Sequence, residues 1–406
     1  MTTGEGRKLA YLLPDPGIPV GGTKGASVHV ESLCAAMARA GAQVVLYAAK
    51  VTGPLRAAGS AAVQVVPVDV GEVRRGPGAA ATRIAAAGRF FEAVGRHLDA
   101  DRPDWVHERL SLFAGGGGAL CAARDLGRVV EVNAPVADER LRHFGLELAA
   151  EAHDAERAAL SGARAMAVSP PLAEWALATG ASETVVVPNG ADTAGFDPDA
   201  WAQRGVQLRR RFGFGGRVVV GFVGSLKPWH GVELLLEALA TTSSDHPIGL
   251  LLVGDGPGRS AIEQAVQRLP VSVIPELTGA VPSAQVPGYL AAMDIAVAPY
   301  LPADTFYFSP LKVAEGMAAG RVVVASDFPP VRELLGSTGV LVTPGDPIEL
   351  GASIAQLVAD PDARARFGAL ARARAVGHLD WEMVAARVMA FALDSPRSVA
   401  APLGAR

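Results

Sequence analysis

The sequence predicts an α/β protein with two doubly wound, mostly parallel sheets. Short apolar runs rich in β-branched residues alternate with segments that have helical hydrophobic spacing. This alternation stops within residues 185–198, where a strand, an Asn-Gly turn and a linker follow one another, and then it restarts. The length of 406 residues suits two to three domains, so we expect one sheet on each side of this boundary.

The first half opens with a β-α-β pattern. Residues 8–13 are a strand candidate, and a loop rich in Pro and Gly follows them. The first helix is expected to begin at Ser27, a suitable N-cap, and to stop at Gly41, and the next strand is expected at 43–48. The later elements expected in this half are strands at 63–68, 105–107, 129–132 and 165–168 and helices at 79–98, at 146–160 and after Ser169.

The second half contains one helix whose limits can be read from the sequence. Ser309 suits the N-cap, Pro310 suits the first helical position and Gly320 suits the stop, so the helix is predicted at 310–319. The apolar run at 321–325 is typical of a strand buried on both faces. The other elements expected here are strands at 218–223, 249–253, 271–275 and 295–299 and helices at 232–240 and 286–292.

Composition and charge limit the class of protein. Half of the residues are hydrophobic and 19% are charged, which is a globular balance. The net charge of −4 argues against nucleic-acid binding. Cys34 and Cys121 are the only cysteines, too few for a disulfide framework or a zinc cluster. Because no signal peptide or spanning segment is readable, we expect a cytoplasmic protein without an integral membrane anchor.

Two charged residues occupy unusual positions on the helix predicted at 310–319. Lys312 lies in its first turn, where the helix dipole disfavours a cation unless an anion is near. Glu315 follows three residues later, so both side chains project from one face beside free N–H groups that attract phosphate. A ligand with an anion and a polyol would satisfy both residues. The alternative is a solvated ion pair on a surface helix.

Three strand-to-helix junctions are candidate binding loops, because open α/β sheets bind ligands at the carboxyl ends of their strands. They are the glycine loop at 21–25, the loop at 224–231 and the junction at 309–315. Neither a P-loop pattern nor a dinucleotide fingerprint is present in the sequence. Taken singly, each loop is also compatible with an ordinary tight turn.

Together, the order and content of these segments resemble the GT-B glycosyltransferases, specifically glycosyltransferase family 4. PVGGTKGASVHV resembles the family's glycine loop and first helix, and VVVPNGAD resembles its interdomain strand and turn. LTGAVPSAQVPGYLAAMDIAVAPY is similar to its base-binding region. SPLKVAEGMAAGRVVVASD is similar to the second half of its signature, two glutamates separated by seven residues. The resemblance covers nearly the whole chain.

The resemblance implies two Rossmann-like domains that face each other across a cleft. An acceptor-binding domain is expected at 1–187 and a nucleotide-sugar-binding domain at 188–375. Residues 376–406 are expected to form a helix that crosses back to the first domain, plus a tail, because Trp381 resembles the family's last helix.

On the donor side, the resemblance assigns Glu315 to the ribose hydroxyls of the nucleotide. A carboxylate suits that role because it can accept hydrogen bonds from both hydroxyls of a diol. The backbone N–H groups of Leu311 and Lys312 would hold the diphosphate. The donor-binding residues implied are Gly22, Ser225, His230, Val281, Ser309, Leu311 and Glu315.

The chain departs from the family pattern in two places, the signature and the phosphate loop. The first signature glutamate, expected eight residues before Glu315, falls on Tyr307, which leaves the donor sugar open. The phosphate loop has Ser225 and His230 where the family has arginine and lysine. Lys227 can substitute, because a point charge on a flexible stem reaches phosphate. Weakened donor binding is the alternative.

The acceptor side is expected in the first half, at residues that follow its strands. The family places a sugar-contacting histidine near His107, although a structural histidine is equally compatible with this position. The acceptor-binding candidates are Lys24, Glu108, Arg109, Asn133 and Glu139, all expected to face the cleft.

The resemblance implies a retaining, metal-independent glycosyltransferase without a cofactor. It would move a sugar from a nucleoside diphosphate sugar, most simply a UDP- or GDP-sugar, to a hydroxyl of a small molecule, a glycan or a lipid. The catalytic candidates are His107, Lys227, Lys312 and Tyr307, and the two lysines would stabilise the leaving diphosphate. A homodimer is compatible with the sequence. A nucleotide-sugar epimerase and a non-catalytic nucleotide-sugar binder are the alternatives.

Overall fold

The protein is described from a computed structural model that covers residues 6–22, 24–57, 59–74, 76–241, 246–303 and 306–394. Thr23 of the glycine loop and residues 395–406 of the expected tail lie outside these ranges. The chain divides into two compact units. The first unit consists of Met1–Pro188 with Trp381–Arg406, and the second consists of Asn189–Asp380.

The first unit contains one parallel sheet of the order β3-β2-β1-β4-β5-β6-β7. Its strands are β1 (Lys8–Leu13), β2 (Gln43–Ala48), β3 (Val63–Pro67), β4 (Trp105–Arg109), β5 (Gly127–Val132), β6 (Arg164–Ala167) and β7 (Glu183–Val186). The helices between them are α1 (Gly25–Arg39), α2 (Ala79–Asp101), α3 (Gly117–Ala122), α4 (Val136–Phe144), α5 (Ala149–Leu160) and α6 (Pro170–Thr179). Since the strand order reverses between β1 and β4, the loops after these two strands flank a crevice of the kind that binds ligands.

The second unit repeats this plan with the sheet order β10-β9-β8-β11-β12-β13. Its strands are β8 (Val218–Val223), β9 (Ile248–Val253), β10 (Val273–Gly279), β11 (Ile295–Ala298), β12 (Val322–Ser326) and β13 (Val340–Val342). Its helices are α7 (Pro198–Arg211), α8 (Val232–Thr241), α9 (Arg259–Val266), α10 (Val286–Ala291), α11 (Leu311–Ala318), α12 (Pro329–Leu335), α13 (Pro347–Ala359) and α14 (Pro361–Arg374). The strands pair in parallel, and the reversal lies between β8 and β11. The prediction of two Rossmann-like α/β domains is confirmed.

The strands of the second sheet carry apolar side chains on both faces. Along β12 all five residues are buried, with Val323 in the core on one side and Val322 and Val324 in the core on the other. Successive side chains of a strand point to opposite faces, so a continuous apolar run fits only a sheet that is covered on both sides. This explains why the sequence pattern located these strands well.

The last helix of the chain, α15 (Trp381–Leu393), packs against α1 of the first unit. The ring of Trp381 meets the ring of His29 edge to face, with centroids 5.2 Å apart. At the other end, the Arg164 guanidinium lies 4.0 Å from the centroid of the Phe391 ring. The C-terminal helix α15 is thus packed onto the first unit by contacts with residues far earlier in the sequence.

Two predicted helix starts are wrong. Helix α11 begins at Leu311 with Pro310 as its N-cap, which has no side-chain capping bond, and Ser309 lies outside it. Helix α1 begins at Gly25, two residues before Ser27, whose side chain is buried. Neither serine caps its helix, because Ser27 is buried within α1 and Ser309 bonds to Asn189 instead.

Candidate functional site

The start of α11 leaves backbone donors unused. The Ser309 hydroxyl accepts a hydrogen bond from the Asn189 N–H at 2.9 Å, and the Ser309 carbonyl accepts one from Asn189 Nδ2 at 2.7 Å. Ser309 therefore anchors the Asn189 turn and does not cap the helix. The N–H groups of Leu311 and Lys312 have no acceptor among the residues that the structure describes. Together with the helix dipole, these donors favour an anion at this point.

The Lys312 ammonium is buried in the same place without a hydrogen-bond partner within the described ranges. Its Nζ lies 4.1 Å from the centroid of the Phe222 ring and 5.0 Å from that of Tyr300. Gly224 has φ +144°, and a Cβ there would stand 3.1 Å from Nζ, so a larger residue would crowd the ammonium. Burial lowers the pKa of Lys312 to about 7, with Glu315 opposing and Lys227 adding to the shift. A buried cation with only ring contacts is one that an anionic ligand would stabilise.

Glu315 lies one helical turn after Lys312. Burial raises the pKa of Glu315 to about 7, and the Lys312 charge opposes that shift. The two groups are coupled, so near neutral pH they titrate as a pair. The site therefore offers an anion-binding end and an adjacent carboxyl group that can accept hydrogen bonds from hydroxyls.

The loop between β8 and α8 carries His230, which is a neutral hydrogen-bonding group here. Its Nδ1–H donates to the Ser225 carbonyl at 2.6 Å, which leaves Nε2 as an acceptor. Burial, together with the charges of Lys312 and Lys227, lowers the pKa of His230 to about 3, against the effect of the Ser225 carbonyl. His230 therefore does not supply the positive charge that its counterpart in the family supplies. Lys227, whose Nζ lies 4.9 Å from the Trp229 ring centroid, is the cation of this loop.

Tyr307 lies in an aromatic cluster just before α11. It is buried, and its ring centroid is 4.5 Å from that of Phe308. The neighbouring Phe306 stacks on Phe328 with centroids 4.1 Å apart. At the position where the family pattern has a carboxylate, this chain thus has a buried aromatic side chain within a cluster of aromatic rings. Val281 follows β10 and is partly buried against the core of the second unit.

In the first unit, several predicted site residues meet at a carboxylate that the sequence analysis did not single out. Glu131, at the end of β5, is fully buried. It accepts hydrogen bonds from the Tyr11 hydroxyl at 2.7 Å and from His107 Nε2 at 3.1 Å. It also contacts the side chains of Arg109, Asn133 and His29, the last with Nε2 at 2.9 Å.

The electrostatics of this Glu131 cluster favour the ionised carboxylate. Burial alone would raise the pKa of Glu131, but the charges of His29 and Arg109, the hydrogen bond from His107 and the close contact of His29 hold it well below its usual range. The cluster fixes His107, Arg109 and Asn133 at the carboxyl ends of β4 and β5. His107 Nδ1 is buried without a partner among the described residues.

Glu108 does not join this cluster, which corrects the expectation that it faces the same way as His107 and Arg109. Adjacent residues of a strand point to opposite faces of the sheet. The Glu108 carboxylate is fully buried on the other side, 2.6 Å from Arg128 Nη1. A Cβ at Gly117 would come within 1.8 Å of Glu108 Oε2, so the glycine makes room for this ion pair. Burial raises the pKa of Glu108 although Arg128 opposes the shift.

The glycine loop is held by a second buried carboxylate that the sequence analysis missed. Glu31 on α1 accepts from the Gly21 N–H at 2.7 Å and from the Arg56 N–H at 2.9 Å. A Cβ at Gly22 would stand 2.6 Å from the Ser27 hydroxyl, so this turn is tightly packed. Of the other acceptor candidates, Lys24 is exposed at the N-cap of α1 and Glu139 lies in the first turn of α4.

Glu31 and Glu131 did leave a signal in the sequence. Each is a carboxylate within an apolar run, VHVESL for Glu31 and VVEVN for Glu131. A charge at a core position must be paired, so such a residue predicts a buried polar partner. The pattern does not say which partner, because the groups that meet Glu131 come from distant parts of the chain.

Among the described residues no group of three or more His, Cys, Asp or Glu side chains could hold a metal ion. Within the same ranges, none of the helices combines the length and the apolar character needed to cross a membrane.

Two family models match the chain, one in each half. The model described as Glycosyltransferase Family 4 matches residues 23–194, and the model described as Glycosyl transferases group 1 matches residues 217–360. The first segment covers strands β2 to β7 of the first sheet, and the second covers all six strands of the second sheet.

Curated mycobacterial proteins are similar to parts of the chain. A phosphatidyl-myo-inositol mannosyltransferase of Mycolicibacterium smegmatis is 32% identical over 228 residues, which are 55% of each protein. A GDP-mannose-dependent alpha-mannosyltransferase of the same organism is 35% identical over 198 residues, 48% of this chain and 47% of the relative. The chain thus spans about half the length of the curated relatives it matches.

A solved structure is similar over nearly the whole chain. Anabaena Alr3699/HepE in complex with UDP-glucose aligns with a TM-score of 0.69 at 20% identity, over 95% of this chain and 98% of that one. At this identity the similarity concerns the fold.

Proposed function

The chain belongs to the family 4-like GT-B glycosyltransferases, and from this we propose that it transfers a sugar from a nucleoside diphosphate sugar to a hydroxyl of an acceptor. Relatives named as mannosyltransferases support sugar transfer, and the name of one of them specifies GDP-mannose. The HepE structure with UDP-glucose supports a UDP-sugar as the other candidate donor. The retaining, metal-independent course of the reaction follows from the family resemblance.

The observation that carries this proposal is the start of α11. The free N–H groups of Leu311 and Lys312 and the unpaired Lys312 ammonium lie where a diphosphate would neutralise them. One turn along, Glu315 can accept hydrogen bonds from the vicinal hydroxyls of a ribose. A nucleoside diphosphate carries both groups in one molecule.

In the transfer step, the bond between the anomeric carbon and the diphosphate oxygen breaks. The acceptor oxygen forms a bond to that carbon, and its proton leaves with the diphosphate. Charge grows on the departing phosphate, where Lys312, Lys227 and the dipole of α11 stabilise it. In the first unit, we assign Arg109 and Asn133, held by Glu131, to the hydroxyl groups of the acceptor.

The first test is thermal unfolding with GDP, UDP, dTDP and ADP in turn. A nucleotide at a hundredfold its dissociation constant stabilises a protein by about 2.7 kcal/mol, which is enough to raise the transition temperature measurably. We expect GDP or UDP to do so alone. If none of the four shifts the transition, the chain does not hold a nucleotide at α11 and the proposal fails.

Glu315→Ala is expected to weaken binding of that nucleotide by about tenfold to a hundredfold, because the ribose hydroxyls lose a buried, charged acceptor. Titration calorimetry measures the change. Glu333→Ala is the matched control, since Glu333 is an exposed glutamate on α12 of the same unit. Equal affinity of Glu315→Ala and the control would remove Glu315 from the site.

Nucleotide affinity is expected to depend on pH around 7. The phosphate favours a charged Lys312, which is lost as pH rises through its pKa of about 7. The ribose favours an ionised Glu315, which is lost as pH falls through its pKa of about 7. A plot of nucleotide affinity against pH should therefore be bell-shaped for the wild type. For Glu315→Gln, affinity should fall only as pH rises above about 7, because only Lys312 still titrates. For Lys312→Met, affinity should fall only as pH drops below about 7, because only Glu315 still titrates. A flat profile in wild type would contradict this assignment.

A non-catalytic nucleotide-sugar binder is the second candidate, and two observations favour it. Tyr307 stands where the family has a carboxylate, and His230 is neutral where the family has a cation. Such a protein would bind the nucleotide but neither transfer nor hydrolyse the sugar. Incubation with GDP-mannose and UDP-glucose separates these possibilities, and an epimerase would be recognised by a new sugar formed from the donor alone.

A further inference from the structure

The first unit contains a pocket whose lining residues have no role in the site described above. Its volume is about 420 Å³, within the range of small-molecule sites. It is lined by the start of α2, by residues that follow β4, and by the end of α4 with the loop after it. These segments follow β3, β4 and β5, so the pocket lies at the carboxyl edge of the sheet, where ligands bind in this kind of fold.

The floor of the pocket is apolar. Phe113 and Ala80 are buried there, and Leu112 and Leu146 pack against them. Phe113 has φ +63°, a conformation that is costly for an aromatic residue. Phe144, also part of the lining, has 63% of its surface exposed. An exposed aromatic ring beside an apolar floor is a surface that an apolar ligand would cover.

The walls of the pocket are basic. Arg83 lines one side, and its nearest acidic contact is Asp15 at 3.6 Å. Arg140 lines the other side, and its guanidinium lies 4.9 Å from the centroid of the Phe144 ring. Two guanidinium groups at the edge of an apolar floor suit a ligand that carries an anionic group on an apolar skeleton.

The acidic residue among the described lining residues is Glu147, and part of its bonding capacity is already used. Both of its carboxylate oxygens accept from the N–H of Gly78, the N-cap of α2, at 3.0 and 3.3 Å. Its charge is thus partly balanced by the positive end of the α2 dipole. The lining as a whole keeps a net positive charge, which favours an anion.

We propose that this pocket binds the acceptor of the transfer reaction and that the acceptor is an amphipathic anion, a phosphate or carboxylate on an apolar chain or ring. This inference rests on the proposed function, since it names the acceptor class of the same reaction. The apolar part covers Phe113 and Phe144, and the anion pairs with Arg83 and Arg140. A dissolved small molecule and a lipid headgroup with its chain both offer this chemistry.

Titration calorimetry with octyl phosphate, below its micelle concentration, tests the pocket directly. Inorganic phosphate and octyl glucoside serve as ligands that lack the apolar part and the charge, respectively. We expect one octyl phosphate per chain, bound at least about tenfold more tightly than either control ligand, because both parts contribute to binding. No octyl phosphate binding, or equal binding of the three ligands, overturns the proposal.

Variants with opposite expected effects separate a binding role from damage to the fold. Arg83→Gln and Arg140→Gln should each weaken octyl phosphate binding by about tenfold. Glu147→Gln should strengthen it, because the repulsive charge is lost while the amide oxygen still accepts from Gly78. Arg96→Gln, which removes the same charge from the far end of α2, should leave it unchanged. Unchanged affinity in the Arg83 and Arg140 variants overturns the assignment.

Two further measurements identify the source of the ligand and keep the two proposals apart. Vesicles of anionic phospholipid that compete with octyl phosphate support a lipid acceptor, and vesicles that do not compete support a dissolved one. Vesicle binding without octyl phosphate binding overturns the pocket. GDP and UDP binding is measured on the same variants. If nucleotide binds while octyl phosphate does not, the pocket proposal alone fails. If octyl phosphate binds while nucleotide does not, the transferase proposal fails, and the pocket remains a site for an amphipathic anion but no longer an acceptor site.

Discussion

Lys312→Met is expected to lower the rate of sugar transfer by about a hundredfold to a thousandfold, the cost of removing one preorganised charge that stabilises the leaving group. The Lys312 ammonium is buried between the rings of Phe222 and Tyr300 without a hydrogen-bond partner among the described residues, so a bound diphosphate would accept its first hydrogen bonds at the helix start. The loss of rate is measured in assays that are stopped at set times with the donor at a saturating concentration, after the glycosylated product has been separated from the sugar nucleotide.

The same substitution should leave the free protein as stable as wild type or more stable. It removes a buried ammonium that has no hydrogen-bond partner among the described residues and places a thioether against two aromatic rings, a favourable contact. Glu315 loses the opposing Lys312 charge, but it can become neutral by taking up a proton, since burial already raises its pKa to about 7. Lys227→Met is the comparison, and its effect on turnover should be smaller because Lys227 lies on a loop against the Trp229 ring and can be screened by solvent. A normal rate in Lys312→Met, or a loss explained by a lower unfolding temperature, would contradict the role of Lys312.

Periodicity predicts the strands of both sheets except the short edge strand β13, because most of these strands are buried on both faces. The expected bounds of β1, β2 and β8 agree with the structure, since each is a compact apolar run between turn residues. The sequence analysis predicts no helix at α3, α4, α7, α9, α12, α13 or α14, and α7 shows the reason. Its sequence, PDAWAQRGVQLRRR, has few apolar residues, and it starts in the segment interpreted as a linker. Asp197 caps it through the N–H groups of Asp199 and Ala200, a local signal that was overlooked.

The sequence assigns the candidate site residues to strands, helices and loops. It does not give the direction of their side chains or their hydrogen-bond and ionic partners. His107 and Glu108 are neighbours on β4, and the pleat sends one to the Glu131 cluster and the other to Arg128. The sequence context of Ser309 predicts a helix cap. The Asn189 side chain and backbone, 120 residues earlier, occupy its hydroxyl and carbonyl instead. Such long-range partners have no local signature.

Glu131→Gln is expected to destabilise the first unit by about 3–5 kcal/mol, which is the usual cost of removing one partner of a buried ionic network. The substitution leaves Arg109 without its countercharge and replaces one of the two accepting oxygens by an amide N–H₂, so the donors around Glu131 lose an acceptor. Urea denaturation measures the effect as a lower midpoint with an unchanged slope. The dependence of the unfolding free energy on urea concentration should not change, because a different slope would indicate a change in the compactness of the denatured or native state.

The pH dependence of that loss follows from the direction of the pKa shift. The pKa of Glu131 is held below its usual range in the folded protein, so its ionisation contributes stability above the unfolded value of about 4.3, and this contribution is lost as pH falls toward the folded value. The stabilities of wild type and Glu131→Gln should therefore converge in acid.

Glu108→Gln is the matched control for this experiment, because Glu108 is equally buried on the next strand but has Arg128 as its only ionic partner among the described residues. Burial raises the pKa of Glu108, so its ionisation opposes folding, and the cost of that ionisation grows as pH rises above the unfolded value of about 4.3. The neutral amide avoids this cost, although it also leaves the buried Arg128 without its countercharge. We therefore expect Glu108→Gln to destabilise the protein less than Glu131→Gln at pH 7, and to become relatively more favourable as pH increases. If Glu108→Gln were the more harmful of the two at neutral pH, the charge of Glu131 would not be what holds His107, Arg109 and Asn133 together.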